Sequence, residues 1–140
     1  MVDKLSENFG DMAKDIMKAV ERATRATAIN RFNQIIIQSP VDKGRFKANW
    51  QVTVNRPTNK ELYEGIKKGD EINSYQEASS KIPTTTKFND KMILTNNVAY
   101  AQSLIEGSSK QRPNGWVRRI IENGEQVFSN FLQVEMRKIK

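Results

Sequence analysis

The chain contains no histidine and no cysteine among its 140 residues. Without histidine, Ser-His-Asp and Cys-His nucleophile systems and imidazole zinc sites are excluded. Without cysteine, disulfide frameworks and thiolate metal sites are excluded as well, which fits a reducing cytoplasm. Long apolar runs are also missing. The longest uninterrupted aliphatic run is Ile35-Ile36-Ile37, far short of the roughly 20 residues a membrane span needs. The start, Met1-Val2-Asp3-Lys4, lacks a basic-then-apolar leader, so secretion is not expected. No G-x-G-x-x-G and no P-loop occurs: Gly107-Ser108-Ser109-Lys110 lacks both the earlier glycine and the Gly-Lys-Ser/Thr core. There is no internal repeat and no low-complexity tract.

What is present is a basic chain of one-domain size. The net charge is +7, with 37% hydrophobic and 28% charged residues. Residues 1–38 carry six basic and five acidic side chains, 39–56 four and one, 57–107 six and seven, and 108–140 seven and three. The excess thus flanks an acidic middle. Such a balance suits an acidic protein face or nucleic-acid phosphates, and equally a soluble basic domain.

Leu5, Phe9, Met12, Ile16, Val20, Ala23, Ile29, Phe32 and Ile36 recur at steps of three and four, with Ala26 bridging the widest gap. This is the stripe of a long amphipathic helix within residues 1–38, stopped at Ser39-Pro40. A helix of ~30 residues is about 45 Å long, so it is expected to project or to lie across a neighbour. In 39–56, a turn through Gly44 leads to Phe46, Ala48, Trp50, Val52 and Val54, which alternate with polar residues as in a half-buried strand. Residues 57–83 read as a polar loop or insertion in which Asp70 could cap a short helix through Ser80. In 84–107, the runs Thr84–Phe88 and Lys91–Asn96 flank Asn89-Asp90 as in a tight hairpin, and Tyr100–Glu106 forms a short helix ending at Gly107. In 108–140, a loop precedes a C-terminal helix from Trp116, with Asn114 as its cap and apolar positions through Ile139.

The parts for catalysis are not there. Asp70-Glu71 and the Glu61/Glu64 pair lie in polar surroundings that raise no pKa and read as solvated faces. Ser108 and Ser109 have no histidine to activate them, and nothing supports Lys110 as a base. A helix-turn-helix is disfavoured because strands separate the two long helices and both carry apolar stripes. We therefore expect no enzyme activity and no cofactor. Phe46, Trp50, Val52 and Ile93 are the expected core anchors. Tyr100 and Trp116 beside turns suit either core or interface. Lys110, Arg112, Arg118 and Arg119 form either a solvated face or a group facing an acidic partner or DNA phosphates.

Two stretches then resemble one family together. "SPVDKGRFKANWQVTVN" (39–55) and "NNVAYAQSLIEGSSKQRPNGWVRR" (96–119) are similar to the paired blocks of tailed-bacteriophage minor tail, or tail-completion, proteins of the phage neck. Lys43 replaces the usual threonine, Asn49 the usual serine before Trp50, and Arg112–Gly115 differs slightly from the usual Pro-Gly turn. The resemblance implies one α+β domain over 1–140, a small, mostly antiparallel sheet packed by a long N-terminal helix and a C-terminal helix. It further implies a virion protein assembled in the host cytoplasm, forming a ring, usually of six. The ring would join the head-side connector to the tail tube or its terminator, with DNA passing through the bore during ejection. A tail-terminator or head-closure ring is the neighbouring alternative. A small basic non-specific nucleic-acid-binding protein is the alternative from another class. Ring subunits meet head to tail, so two different faces must match. The Gly107–Arg118 loop is expected to supply one face, with Tyr100, Glu106, Lys110, Arg112, Trp116, Arg118 and Arg119 as contact residues. The Arg56–Pro83 segment is expected to supply the other.

Overall fold

The stripe from Leu5 to Ile36 folds as a single helix, α1 (Val2–Gln38), about 55 Å long. The structure, a computed structural model, describes residues 2–40, 44–63, 74–106 and 113–139. α1 stops where Pro40 makes helical geometry unfavourable at Ser39, whose amide closes a last turn onto Ile36 O at 3.2 Å.

The expected strand over 46–54 is only half a strand. Arg45–Ala48 form one helical turn, α2, entered from Gly44 at φ +82°, and only Gln51–Val54 are extended as β1. Phe46 and Trp50 are four apart, a spacing that returns to the same side in either geometry, so alternation alone did not separate the two. Two features favour the turn. Gly44 takes a left-handed φ at no steric cost, and the Asn49 side chain donates to Arg45 O at 2.8 Å. The result sets Phe46 and Trp50 edge to face, centroids 5.6 Å apart.

The expected hairpin around Asn89-Asp90 is also different. β1 pairs antiparallel with β2 (Met92–Thr95), Val52 opposite Leu94 and Val54 opposite Met92. Thr84–Phe88 is not a strand; Arg25 Nη1 of α1 donates to Thr86 O at 2.9 Å and holds that run against the long helix. Asn89 (φ +73°) does make a turn, closed by Asp90 N–H donating to Lys87 O at 3.0 Å. Its chemistry was legible; its strand partner was not.

Between the strands lies α3 (Ser74–Ser79), and after them α4 (Ala101–Glu106). The expected cap Asp70 and the end-glycine Gly107 lie outside the described residues. The expected single C-terminal helix is two: α5 (Trp116–Glu122) and α6 (Gly124–Arg137), broken at Asn123. Gly115, at φ +75°, occupies the position expected of Asn114 at the start of α5. The break serves packing. α5 turns Trp116, Val117 and Ile120 into the core, while α6 runs back along α1.

The core joins Ile35 and Ile36 of α1, Phe46 and Trp50 around α2, Ala78 and Ile82 near α3, Val98 and Ala101 near α4, and the three α5 residues. Val52, Met92 and Leu94 pack their sheet face against it. Ile93 is half-buried opposite Thr53, on the other face of the ladder. α6 lies antiparallel to α1: Arg31 Nη1 donates to Ile120 O near the α6 start, and Arg22 faces Glu135 at 3.8 Å near its end. Ala19 and Ala23, small and buried, belong to this packed half of α1. The architecture is α+β, a two-stranded antiparallel sheet packed by helices.

Candidate assembly surface

α4 and α5 together form a wall with a groove. Trp116 is 2% exposed, and its Nε1–H donates to Leu104 O at 2.9 Å, fastening α5 to α4. Trp116 is therefore a core residue, because its position on α5 faces inward with Val117 and Ile120. The adjacent face of α5 carries Arg118, Ile121 and Glu122 at spacings of three and four, all exposed. With Ile105 and Glu106 of α4 they line an open groove of about 640 Å³. Its floor is apolar. Its rim is charged with both signs.

Other expected contact residues fall as follows. Arg118 and Arg119 point to solvent, and among the described residues no hydrogen bond or ion pair engages either guanidinium. Glu106 is exposed and accepts from Gln102 Nε2 at 3.1 Å, and Tyr100 is exposed just before α4. Lys110 and Arg112 lie outside the described residues. The groove thus brings Glu106 and Arg118 together, with Arg119 at its edge and Tyr100 apart. Ile105 and Ile121 were not anticipated as surface residues; the three-four spacing of Ile121 from Val117 and Arg118 was the available signal.

The described part of the 56–83 segment is stitched to its own chain. Asn49, fully buried, donates from Nδ2 to Leu62 O at 2.9 Å and accepts Leu62 N–H at 2.7 Å, imitating a strand partner. Asn97 Nδ2 donates to Thr58 O and Lys60 O, and Arg45 pairs with Glu61. The first block of the sequence therefore acts structurally. Ser39 closes α1, Gly44 opens α2, Asn49 holds the following loop, and Trp50 fills the core.

A second exposed feature lies far from the groove. Leu5, Phe9, Met12, Ile16 and Met17 of α1 are all exposed, Phe9 to 62%. α6 runs out beside Asp15, Lys18 and Ala19, so the stripe beyond them has no cover among the described residues.

No group of three or more acidic side chains arranged to hold a metal occurs among the described residues, and none of their helices is long and apolar enough to cross a membrane. A family model described as "Bacteriophage HK97-gp10, putative tail-component" matches residues 3–106, well over half of the chain. The chain belongs to that family. Neither curated proteins nor solved structures offer a match. The HK97-gp10-like match spans α1 through α4 and stops before α5. One wall of the groove therefore lies inside the matched region and the other, bearing Arg118 and Ile121, lies outside it.

Proposed function

We propose that this protein is a structural, non-enzymatic subunit of the phage neck. In that role it forms a ring, of six copies as the resemblance to neck proteins implies, that joins the head-side connector to the tail and lets DNA pass. The observation carrying this reading is membership of the HK97-gp10-like family across residues 3–106. A tail component is a virion part, and its work is contact with other tail proteins. Two features of the chain support a subunit that meets several neighbours: the exposed apolar stripe on α1 and the groove lined by Ile105, Val117 and Ile121 and edged by charges of both signs. Partners are further copies, a head-completion or connector protein, and the tail tube or its terminator. The surplus of positive charge allows non-specific contact with DNA phosphates in the bore.

Labelled protein located in intact virions by electron microscopy tests this. Density at the head–tail junction is expected. Density at the distal tip, or none in the particle, overturns the neck assignment. A terminator or head-closure position would appear one ring away along the same axis.

A further inference from the structure

Leu5, Phe9, Met12, Ile16, Ala19 and Ala23 repeat at steps of 4, 3, 4, 3 and 4. That is the 3.5-residue seam of a helix that lies along another helix. Ala19 and Ala23 are buried in the half of α1 that α6 packs. Leu5, Phe9, Met12 and Ile16 continue the seam into solvent, exposed to 56%, 62%, 53% and 39%. A helix–helix interface already in use thus runs on, uncovered among the described residues, for about 16 Å.

The residues beside the seam select its occupant. Lys4, Glu7, Asp11 and Lys14 fall on the side of the helix turned away from it, so these charges do not meet a helix seated there. The flanking positions are Ser6 and Ala13 on one side, Asn8 and Asp15 on the other. A second arm laid antiparallel, about a two-fold axis between residues 10 and 11, sets Leu5 against Ile16 and Phe9 against Met12, each pair twice. The same axis sets Asn8 of each arm beside Asp15 of the other, a carboxamide donor against a carboxylate, and Ser6 beside Ala13. A parallel pair in register would instead set Asn8 beside Ala13 and Asp15 beside Val20, polar against apolar. One axis therefore satisfies both the seam and its flanks, and it needs nothing but the arm itself.

We infer that the exposed arm of α1 pairs antiparallel, through Leu5, Phe9, Met12 and Ile16, with the same arm of a second copy of this chain. The contact is isologous, one patch meeting its own copy. It differs from the head-to-tail faces that close a ring, and it does not rest on the ring reading. It joins two subunits, or subunits of two facing rings, with their bodies at opposite ends of the paired arms.

Because the chain has no cysteine, single cysteines report the contact cleanly. Leu5→Cys and Ile16→Cys proteins are oxidised separately and as a mixture, and sedimentation of the wild type runs alongside. A disulfide needs Cα atoms within about 7 Å, and the two positions lie about 16 Å apart along one helix. Antiparallel arms therefore link the mixture and leave each variant alone unlinked. We expect that pattern, together with concentration-dependent association of the wild type. Asn8→Asp opposes two carboxylates at each flank and should weaken association by about three- to fivefold, whereas Asn8→Lys should strengthen it at low salt and lose the gain at high salt. Efficient linking of either variant to itself overturns the inference in favour of parallel arms. Equal association of Asn8→Asp and Asn8→Lys overturns the antiparallel register. A wild type that oligomerises without any link between positions 5 and 16 overturns the inference and leaves the ring reading standing. A wild type that stays monomeric up to its solubility limit overturns both.

Discussion

Ser39 sits between two elements and serves both. Its hydroxyl donates to Ile35 O at 2.7 Å, closing α1, and accepts the indole N–H of Trp50 at 2.7 Å, all out of contact with water. A buried donor deprived of its acceptor costs roughly 1–3 kcal/mol, more than a hydrogen bond adds when made. Ser39→Ala is therefore expected to lower stability by about that amount, read from the urea midpoint at unchanged slope. Trp50→Phe removes the stranded donor, so adding Ser39→Ala to it should cost markedly less than Ser39→Ala alone. Additive costs would mean the indole finds another acceptor. Asp90 offers a second test at this scale. Donation from the Lys87 amide, and next from the Asn55 carboxamide, holds its carboxyl below the ordinary 3.8. A depressed carboxyl stabilises the fold above its unfolded pKa, and that contribution is lost as pH falls below 3.8 through the folded value. The Lys87 amide proton, followed by NMR, should titrate with a midpoint below 3.8, and Asp90→Asn should abolish the transition. A midpoint at or above 3.8 contradicts the hydrogen-bonded turn.

At the scale of elements, α1 has two halves with different needs. The half from Ala19 onward is held by α6 and the core, whereas the arm before Asp15 rests on its own hydrogen bonds. Gly10 lies within that arm, and a Cβ built there meets nothing within 4 Å. Glycine inside a helix costs about 0.5–1 kcal/mol relative to alanine. Gly10→Ala should therefore raise far-UV ellipticity without altering the unfolding of the body. A loss of helicity would mean that the arm needs a bend there. Elements like α1 were legible in the sequence because a 3.6-residue stripe over thirty residues admits no other period. α4 was legible too, bounded by its turn signals. Shorter stretches were not. Phe46 and Trp50 share a side in helix and strand alike, so α2 was hidden, and its signals were Gly44 and the helix-turn role of Asn49. The partner of β1 was hidden for another reason. Long-range pairing with β2 is decided by which face meets the core, and Thr84–Phe88 is claimed instead by Arg25. The groove was half legible. Arg118 and Arg119 stood out as charge, but whether Trp116 faces in or out depended on the rotation of α5, which no local pattern specifies.

On the scale of the whole molecule, the fold grades from a tightly held centre to an end of α1 that nothing among the described residues supports. The sheet, α2, α5 and the last turns of α1 share one core, and Asn49, Asn97 and Arg45 tie the following loop to it. Residues 2–15 of α1 extend about 21 Å from where α6 ends. Isolated helices of that length are marginal in water, because nucleation is costly and most helix stability in proteins comes from packing. In the monomer, amide exchange along α1 should therefore be graded: rapid up to about Asp15, slow from Ala19, slowest near Ile36. Assembly that covers the apolar seam should slow exchange in the arm while leaving the core amides unchanged. Hydrogen–deuterium exchange by mass spectrometry at low and high protein concentration reads both effects from the same peptides. Uniformly slow exchange along α1 in dilute protein would mean that the arm is already covered within one chain, and the outward seam would lose its role as a surface for neighbours.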